Sequence, residues 1–319
     1  MKVIKANIIL FMFILMLFIP EVTNNYTQFI VNMILVYILV TLGFNIILGY
    51  VGRFSFANAS FFGIGAYVTG LSMVKFNIPF WLCLPLSGLI TAIIGLLIGF
   101  PALRLHRYYL AIVTIAFTSL MRFTYIHGGD FTFGPSGFDI PYPKLFGWVI
   151  STDKQVFYIV LIVFVLLLIF TKTLIQSKVG RAFIAVKESD DAAEALSINS
   201  KKTVLLAFTL SGFIVGIAGG LFSLVIRRIT PDSFGMHELI RHFIMVVLGG
   251  IGSITGSFIG AIIIIILPEF MRFILDYQEF IYGMIIVLMV LFAPQGIYGF
   301  IIDYIPGISH EKLYAPNVK

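Results

Sequence analysis

The stretch LGYVGRFSFANASFFGIGAY, Leu48 to Tyr67, sets four glycines, an arginine and an asparagine inside apolar sequence. Gly49, Gly52, Gly63 and Gly65 admit two kinds of chemistry. Small residues let membrane helices approach closely. They also let a helix break, which frees backbone N–H and C=O groups to line a path for a polar solute. Packing accounts for Gly63 and Gly65, which share a regular run with Gly70. A break is expected at Gly49 and Gly52, just before the charge of Arg53. Asn45 and Asn58 flank it and will seek hydrogen bonds, either as glue between helices or as contacts to a solute.

A second stretch, LGGIGSITGSFIGA, repeats the pattern. Leu248, Gly249, Ile251, Gly252 and Thr255 align with Leu48, Gly49, Val51, Gly52 and Ser55. Paired, glycine-interrupted apolar segments point to a transport path built from repeats, parallel or inverted. The residues expected to line it are Asn45, Gly49, Gly52, Ser55, Asn58, Gly249, Gly250 and Gly252.

Other chemistries lack their residues. There is no GxxxxGK[ST] loop, so the chain is not expected to bind ATP through that motif. HExxH and CxxC are also missing, and Cys83 stands alone. His106, His127, His237, His242 and His310 are scattered, and no metal site is expected. All fifteen acids fall in loops or near the ends of apolar runs, so none is expected deep in the membrane. That argues against proton coupling, which commonly uses an intramembrane acid. Sodium could still bind carbonyls at a broken helix. A membrane enzyme would need a clustered polar site within the spans, and the sequence displays none.

The segment 178–202, KVGRAFIAVKESDDAAEALSINSKK, reads differently. Phe183, Val186, Ala193 and Leu196 recur at helical spacing with charge between them. Asp190 is expected to cap a second short helix that holds Asp191 and Glu194. Glu188, Asp190, Asp191 and Glu194 together would be repelled by anionic lipid, so a protein partner suits this face better than a layer of headgroups.

The elements that position these groups follow from composition. The chain has 319 residues, 60% hydrophobic and 11% charged, with a mean hydropathy of +1.05. Soluble domains carry roughly a quarter charged residues, so this is an integral membrane protein. Runs such as FYIVLIVFVLLLIF suit helices, not the alternating strands of a barrel. At about 20 residues per span, the expected fold is an all-α polytopic bundle of about eight to ten transmembrane helices. It would contain broken or re-entrant segments and a possible internal repeat, all in one permease domain, 1–319. Spans are expected at 6–20, 28–48, 56–74, 80–100, 108–126, 156–176, 203–226, 239–267 and 279–293. The stretch 239–274 is awkward, too long for one upright helix and too short for two.

Lys and Arg favour the cytoplasmic side. The rule puts the N-terminus, Arg53, Arg104, Arg107 and the basic set of 172–202 inside, and the loop 127–154 outside. Lys2 and Lys5 before an apolar run imitate a signal peptide, but no small-x-small site follows, so an uncleaved first helix is expected. Arg122 lies near the outer end of its span, where it can snorkel. GPSG, Gly134 to Gly137, is an external turn by composition, with or without a ligand. Arg227 and Arg228 fall outside, against the rule; docking of an acidic lobe of an external protein would account for them. The net charge of +6 reads as loop bias, with no nucleic-acid partner expected.

The residues of 179–208 resemble the cytoplasmic segment of the branched-chain amino acid ABC transporter permeases. Gly180, Arg181 and Ala182 match, as do Ala192 to Leu196 and Ile198, while Ser197 replaces a usual glycine. GFNIILGYVGRFSFANASFFGIGAY is similar to the same family, with Arg53 where glutamine is common and Ala57-Asn58 where Gly-His or Gly-Gln is usual. GPSGFDIP, PDSF, VVLGGIGSITGSFIGA and FAPQGIYG follow in order, and the pattern is that of the LivM-type subunit rather than its LivH-type companion. The resemblance implies a permease subunit of an importer in a bacterial plasma (inner) membrane, without enzymatic activity of its own. It implies a second, homologous permease subunit, an external substrate-binding protein, and two cytoplasmic ATPases that carry ATP and Mg. No cofactor is implied on this chain. The ATPases would dock on coupling helices including Gly180, Arg181, Ala182, Glu188, Asp191, Ala193, Glu194 and Leu196. The implied cargo is leucine, isoleucine and valine; urea, short amides or other amino acids suit the same architecture, and an ion-coupled carrier or channel is the alternative from another class.

Overall fold

The computed structural model describes residues 20–21, 23–105, 107–145, 148–270, 278–292 and 295–303, so the span expected at 6–20 lies outside them apart from Pro20. Helix α1, Asn25–Asn45, widens into a π turn at Ile46–Tyr50. Then come α2 (Asn58–Phe76), α3 (Phe80–Ala102), α4 (Arg107–His127) and α5 (Asp153–Gln176). Two short helices, α6 (Lys178–Glu188) and α7 (Asp190–Ala195), lead to α8 (Ser200–Ile226). The chain continues through α9 (Met236–Gly249), α10 (Ile254–Phe270), α11 (Gln278–Phe292) and α12 (Gly296–Asp303). Among the described residues six helices, α1 with its π turn, α2 to α5 and α8, are long and apolar enough to cross a membrane, while α10 and α11 contain shorter apolar runs. The protein is a multi-pass helical membrane protein.

α1 and α8 form the middle. Every residue of Leu35–Tyr50 is buried, so this helix is apolar all round rather than along one stripe. α8 approaches its neighbours through small residues. A Cβ on Gly65 of α2 would collide with Gly216 O, one on Gly219 with Phe62 O, and one on Gly212 would stand 2.6 Å from Thr91 O of α3. Gly63 and Gly70 likewise lie against Phe234 and Phe138. Without a hydrophobic force between helices in lipid, such close backbone packing is what holds them together. The outward faces of α3, α4, α5 and α11 stay apolar, with Leu82, Leu97, Ile112, Ile162, Leu166 and Leu291 exposed.

Helix ends follow local chemistry. Thr152 and Gln155 form a capping box at the start of α5. Ser177, Ser189 and Asn199 cap α6, α7 and α8 by accepting from Val179, Ala192 and Lys202 amides. Ser189, not the expected Asp190, therefore caps α7, and Asp190 is the first helical residue. Ser197 adopts φ 62, a left-handed conformation that favours glycine, at the end of α7.

The stretch 239–274 resolves into two helices with a turn between them. α9 ends at Gly249, Gly250 and Gly252 take φ 125 and 85, and α10 starts at Ile254. Gly249 lies against Gly256, and Met245 against Gly260, so the pair is an antiparallel hairpin. Its far end reaches the start of α1, where Glu269 accepts a hydrogen bond from Tyr26. Gln295 and Gly296, at the start of α12, lie against Gly250 at the hairpin tip. The opposite end of the bundle carries two small antiparallel ribbons. β1 (Phe138–Asp139) pairs with β4 (Arg228–Ile229), and β2 (Lys144–Leu145) with β3 (Trp148–Val149). This is the loop end; the end with α6 and α7 is the basic end.

The close approach of α2 and α8 makes a direct prediction. Gly65→Val overpacks a backbone contact and should lower stability by at least about 1–3 kcal/mol. Gly283, with nothing within 4 Å of a built Cβ, should accept alanine freely. Thermal unfolding of the two purified variants in detergent checks this; equal midpoints would contradict the packing account.

Candidate functional site

The two glycine breaks meet. Asn45 lies at the last turn of α1, and its Nδ2 donates to Ser253 O at 2.9 Å and to Ser257 Oγ at 3.0 Å. Its Oδ1 accepts from the Gly252 amide at 2.7 Å. One carboxamide thus satisfies the turn between α9 and α10. A Cβ on Gly49 would collide with Gly252, so this contact requires glycine. Beyond it the α1 ladder widens, Val51 N reaching Ile46 O and Arg53 N reaching Ile47 O. Gly52 takes φ 70, and the chain runs without helix to Ala57. Side chains of α4 satisfy part of this run: Thr114 Oγ1 accepts from Phe56 N, and Thr118 Oγ1 donates to Phe56 O. Ser55 is buried and receives the Ala57 amide at 3.4 Å. The structure therefore gathers Asn45, Gly49, Gly52, Gly249, Gly250 and Gly252 at one place, with Ser55 and Asn58 following along the irregular run.

The basic end ties this break to α6 and α7. Arg53 Nη2 donates to both Asp190 oxygens, at 2.9 and 2.6 Å. The stem of Lys187 lies beneath Gly52, 2.9 Å from a built Cβ. Burial pushes the Lys187 ammonium below its ordinary value, offset in part by Glu188. Gly180 packs on Ile175 and Ala193 is buried, anchoring the two short helices. Ala182 is half-buried, whereas Arg181, Glu188, Asp191, Glu194 and Leu196 face outward. Leu196 is 73% exposed, which leaves an apolar side chain beside three exposed acids.

A third feature corrects the sequence reading. Glu238, in the first turn of α9, is buried against Tyr37 at the middle of α1. Tyr37 lies about 18 Å along the axis from the start of its helix. Tyr37 Oη donates to Glu238 Oε1 at 2.6 Å, and Arg241 Nη1 lies 3.2 Å from Oε2. His242 Nε2 stands 3.0 Å from Oε1, and His242 Nδ1 lies 3.1 Å from Asn58 Nδ2. The tautomer that fits is Nε2–H, with Nδ1 accepting from the amide. Phe62, Phe222 and Phe234 wall the group, with the Phe62 ring 5.4 Å from His242 and 4.7 Å from Phe222. An acid does lie within the bundle, and it is part of a polar cluster. Tyr37, Glu238 and Arg241 were not expected as site residues. Their signal was Glu238, Arg241 and His242 at i, i+3 and i+4 just before an apolar run, one helical face of polar groups.

At the loop end, Arg227 caps α8 in a left-handed conformation, φ 61. It donates to Ser151 O, lies 3.6 Å from Asp153, and stacks over Tyr142. Arg228 lies 3.6 Å from Asp139 and stays 59% exposed. Arg122 pairs with Asp232 at 2.7 Å. The arginines that break the charge rule thus face acids of the 127–154 loop. Gly134–Ser136 form a 3-10 turn, and Gly137, φ 67, lies against Ile229.

Comparison with known proteins agrees in kind. The family model described as "Branched-chain amino acid transport system / permease component" matches residues 26–293. The chain is 33% identical over 302 residues to the high-affinity branched-chain amino acid transport system permease protein LivM of Escherichia coli K12, covering 87% of this chain and 71% of that protein. The corresponding LivM of Salmonella typhimurium is 34% identical over 292 residues, covering 84% and 69%. LivH of Escherichia coli K12 is 26% identical over 288 residues, covering 82% and 91%. No solved structure matches the chain. These relatives are transport permease proteins by name, and the residues matched by the family model, 26–293, include both glycine breaks, α6, α7 and the buried cluster. The chain belongs to the branched-chain amino acid ABC transporter permease family, as a member of its LivM type.

Proposed function

We propose that this chain is the membrane path of an ATP-driven importer for leucine, isoleucine and valine. The cargo arrives on an external binding protein. A second, homologous permease subunit completes the path. Two ATPase subunits, carrying ATP and Mg, dock on α6 and α7. The basic end is cytoplasmic, as is the N-terminus, in a bacterial plasma membrane; the loop end faces out. The observation that carries this reading is the bridge from Asp190 of α7 to Arg53 at the α1 break. A push on α6 and α7 reaches the irregular backbone at Gly52 directly, and that backbone touches the α9–α10 turn through Gly49 and Asn45. Closure of the ATPase pair then has a short mechanical route to the path.

Gly180 and Ala193 anchor the platform in this reading, and Arg181, Glu188, Asp191, Glu194 and Leu196 meet the ATPases, with Ala182 at the edge. Gly52 and Ser55 form the moving part of the path, and Asn45, Gly49, Gly249, Gly250 and Gly252 form the clamped junction beside it. Arg228, the more exposed of the two loop-end arginines, meets an acidic face of the binding protein, and Arg227 holds the loop beside it.

Reconstitution tests the function. Proteoliposomes with the full set of subunits should accumulate labelled leucine when loaded binding protein is outside and ATP inside. Uptake that follows a proton or sodium gradient and ignores ATP would refute it. Uptake of urea instead of leucine would refute the cargo. The bridge makes a second prediction. Arg53→Asp should reduce leucine uptake severalfold, and the double variant Arg53→Asp with Asp190→Arg should recover much of it. The static pair itself is worth only about 1 kcal/mol, so loss of uptake without loss of assembly separates coupling from stability. A third concerns docking. Arg228→Glu should raise KM for loaded binding protein about tenfold at low salt, with the difference shrinking as salt screens it. An unchanged KM removes Arg228 from the docking face.

A further inference from the structure

Helix α2 begins inside the bundle. Ala57, Asn58, Ala59 and Ser60 are all at most 2% exposed. Ala57 offers no side-chain cap, and the first amide to donate along the helix is that of Phe61, to Ala57 O at 3.0 Å. The amides of Asn58, Ala59 and Ser60 have no partner among the described residues. An uncapped helix start carries a partial positive charge and presents N–H donors to an anion. Two buried side-chain atoms of the adjoining pair Asn58 and His242 are unmet as well. Asn58 Oδ1 has no partner among the described residues, and His242 Nε2 faces Glu238 without hydrogen-bond alignment.

The opposite sign lies across the histidine. Asn58 Nδ2 is engaged by His242 Nδ1, which fixes the carboxamide with Oδ1 as its free acceptor. Beyond His242 stands the Glu238 carboxylate, oriented by Tyr37 and Arg241. Donors without acceptors and acceptors without donors thus sit within one buried zone. Apolar rings lie near it: Phe62, Phe222 and Phe234 about His242, and Phe44, Phe56 and Phe243 in a second cluster that includes near neighbours of Asn58 and His242 in sequence. A solute that satisfies both signs beside apolar walls is a zwitterion with an aliphatic side chain. Urea and amides lack the separated charges, and a simple anion leaves Asn58 Oδ1 unmet.

Resting on the transport reading above, we propose that Asn58 and the start of α2 form a transient site for the α-amino acid zwitterion on its way through the membrane. The amides of Ala59 and Ser60 hold its carboxylate, and Asn58 Oδ1 accepts from its ammonium. His242 and Glu238 are positioning residues that keep the carboxamide turned, while the aromatic walls receive the branched side chain.

The test uses the complete reconstituted transporter with leucine-loaded binding protein. Asn58→Leu should lower kcat for leucine import roughly tenfold or more, since a buried hydrogen bond to a charged group is lost. KM for the loaded binding protein should not change, because docking takes place at the other end of the bundle. An unchanged kcat overturns the site, and so does a raised KM with kcat intact. If the leucine variant does not assemble, Asn58→Asp keeps the shape. Its carboxylate occupies the α2 N–H groups itself, so kcat should again fall, and a wild-type kcat overturns the proposal. A wild-type transporter that does not import leucine at all refutes the transport reading, and this site with it.

Discussion

Backbone that leaves a helix inside a membrane has no water to turn to, and this constraint governs the rest of the structure. The chain breaks twice within the bundle, after Gly49 and after Gly249. Neither break is satisfied by itself. Asn45 answers the second break from the helix that carries the first, using its acceptor and both directions of its amide donor group. The pairing of two irregular segments across one asparagine is therefore a condition of stability. Gly49 is needed for the same reason, because any side chain there would hold the segments apart.

Once the breaks are joined, the positions of the charges follow. Arg53 emerges where the widened end of α1 reaches the basic end, and Asp190 meets it. That attraction also explains why Ser189 caps α7. The serine hydroxyl reaches the Ala192 amide, and the carboxylate is left free for the guanidinium. α6 and α7 are thus attached to the bundle at its least regular point, not at a rigid helix. Shear or rotation there is accommodated by loops and a π turn, which absorb dihedral changes more readily than packed helices do.

The sequence was legible where a physical rule acts locally. Apolar runs marked the spans, glycines before Arg53 marked a break, and the echo at Leu248 marked its counterpart. The spacing of Phe183, Val186, Ala193 and Leu196 located the two short helices; the first three are buried, whereas Leu196 faces outward. Illegible were features assembled from distant segments. Glu238 looked like an acid at the edge of an apolar run. Only the fold reveals that α9 starts beside the middle of α1, where Tyr37 and Arg241 make the charge tolerable. The stretch 239–274 was ambiguous for a related reason, since length alone cannot tell a tilted helix from a hairpin that turns back. The left-handed Ser197 shows the reverse case: a departure from the family's glycine becomes intelligible once its φ is known.

Two asparagines bracket the first break, and their environments separate two roles that the sequence left open. Asn45 has its oxygen and both amide hydrogens engaged by backbone and serine, so it is a clamp, and a solute would have to dismantle the fold to reach it. Asn58 uses only its donor, toward His242, and keeps a buried acceptor without a partner among the described residues. Native interiors rarely leave such atoms unmet, since the unpaired group has lost its water without gaining a replacement. An unmet acceptor beside an uncapped helix start is a local instability in the bundle. The fold supports it because Asn45 holds the surrounding segments in place, and so the two residues act in series: one fixes the broken backbone, and the other exposes what the break makes available.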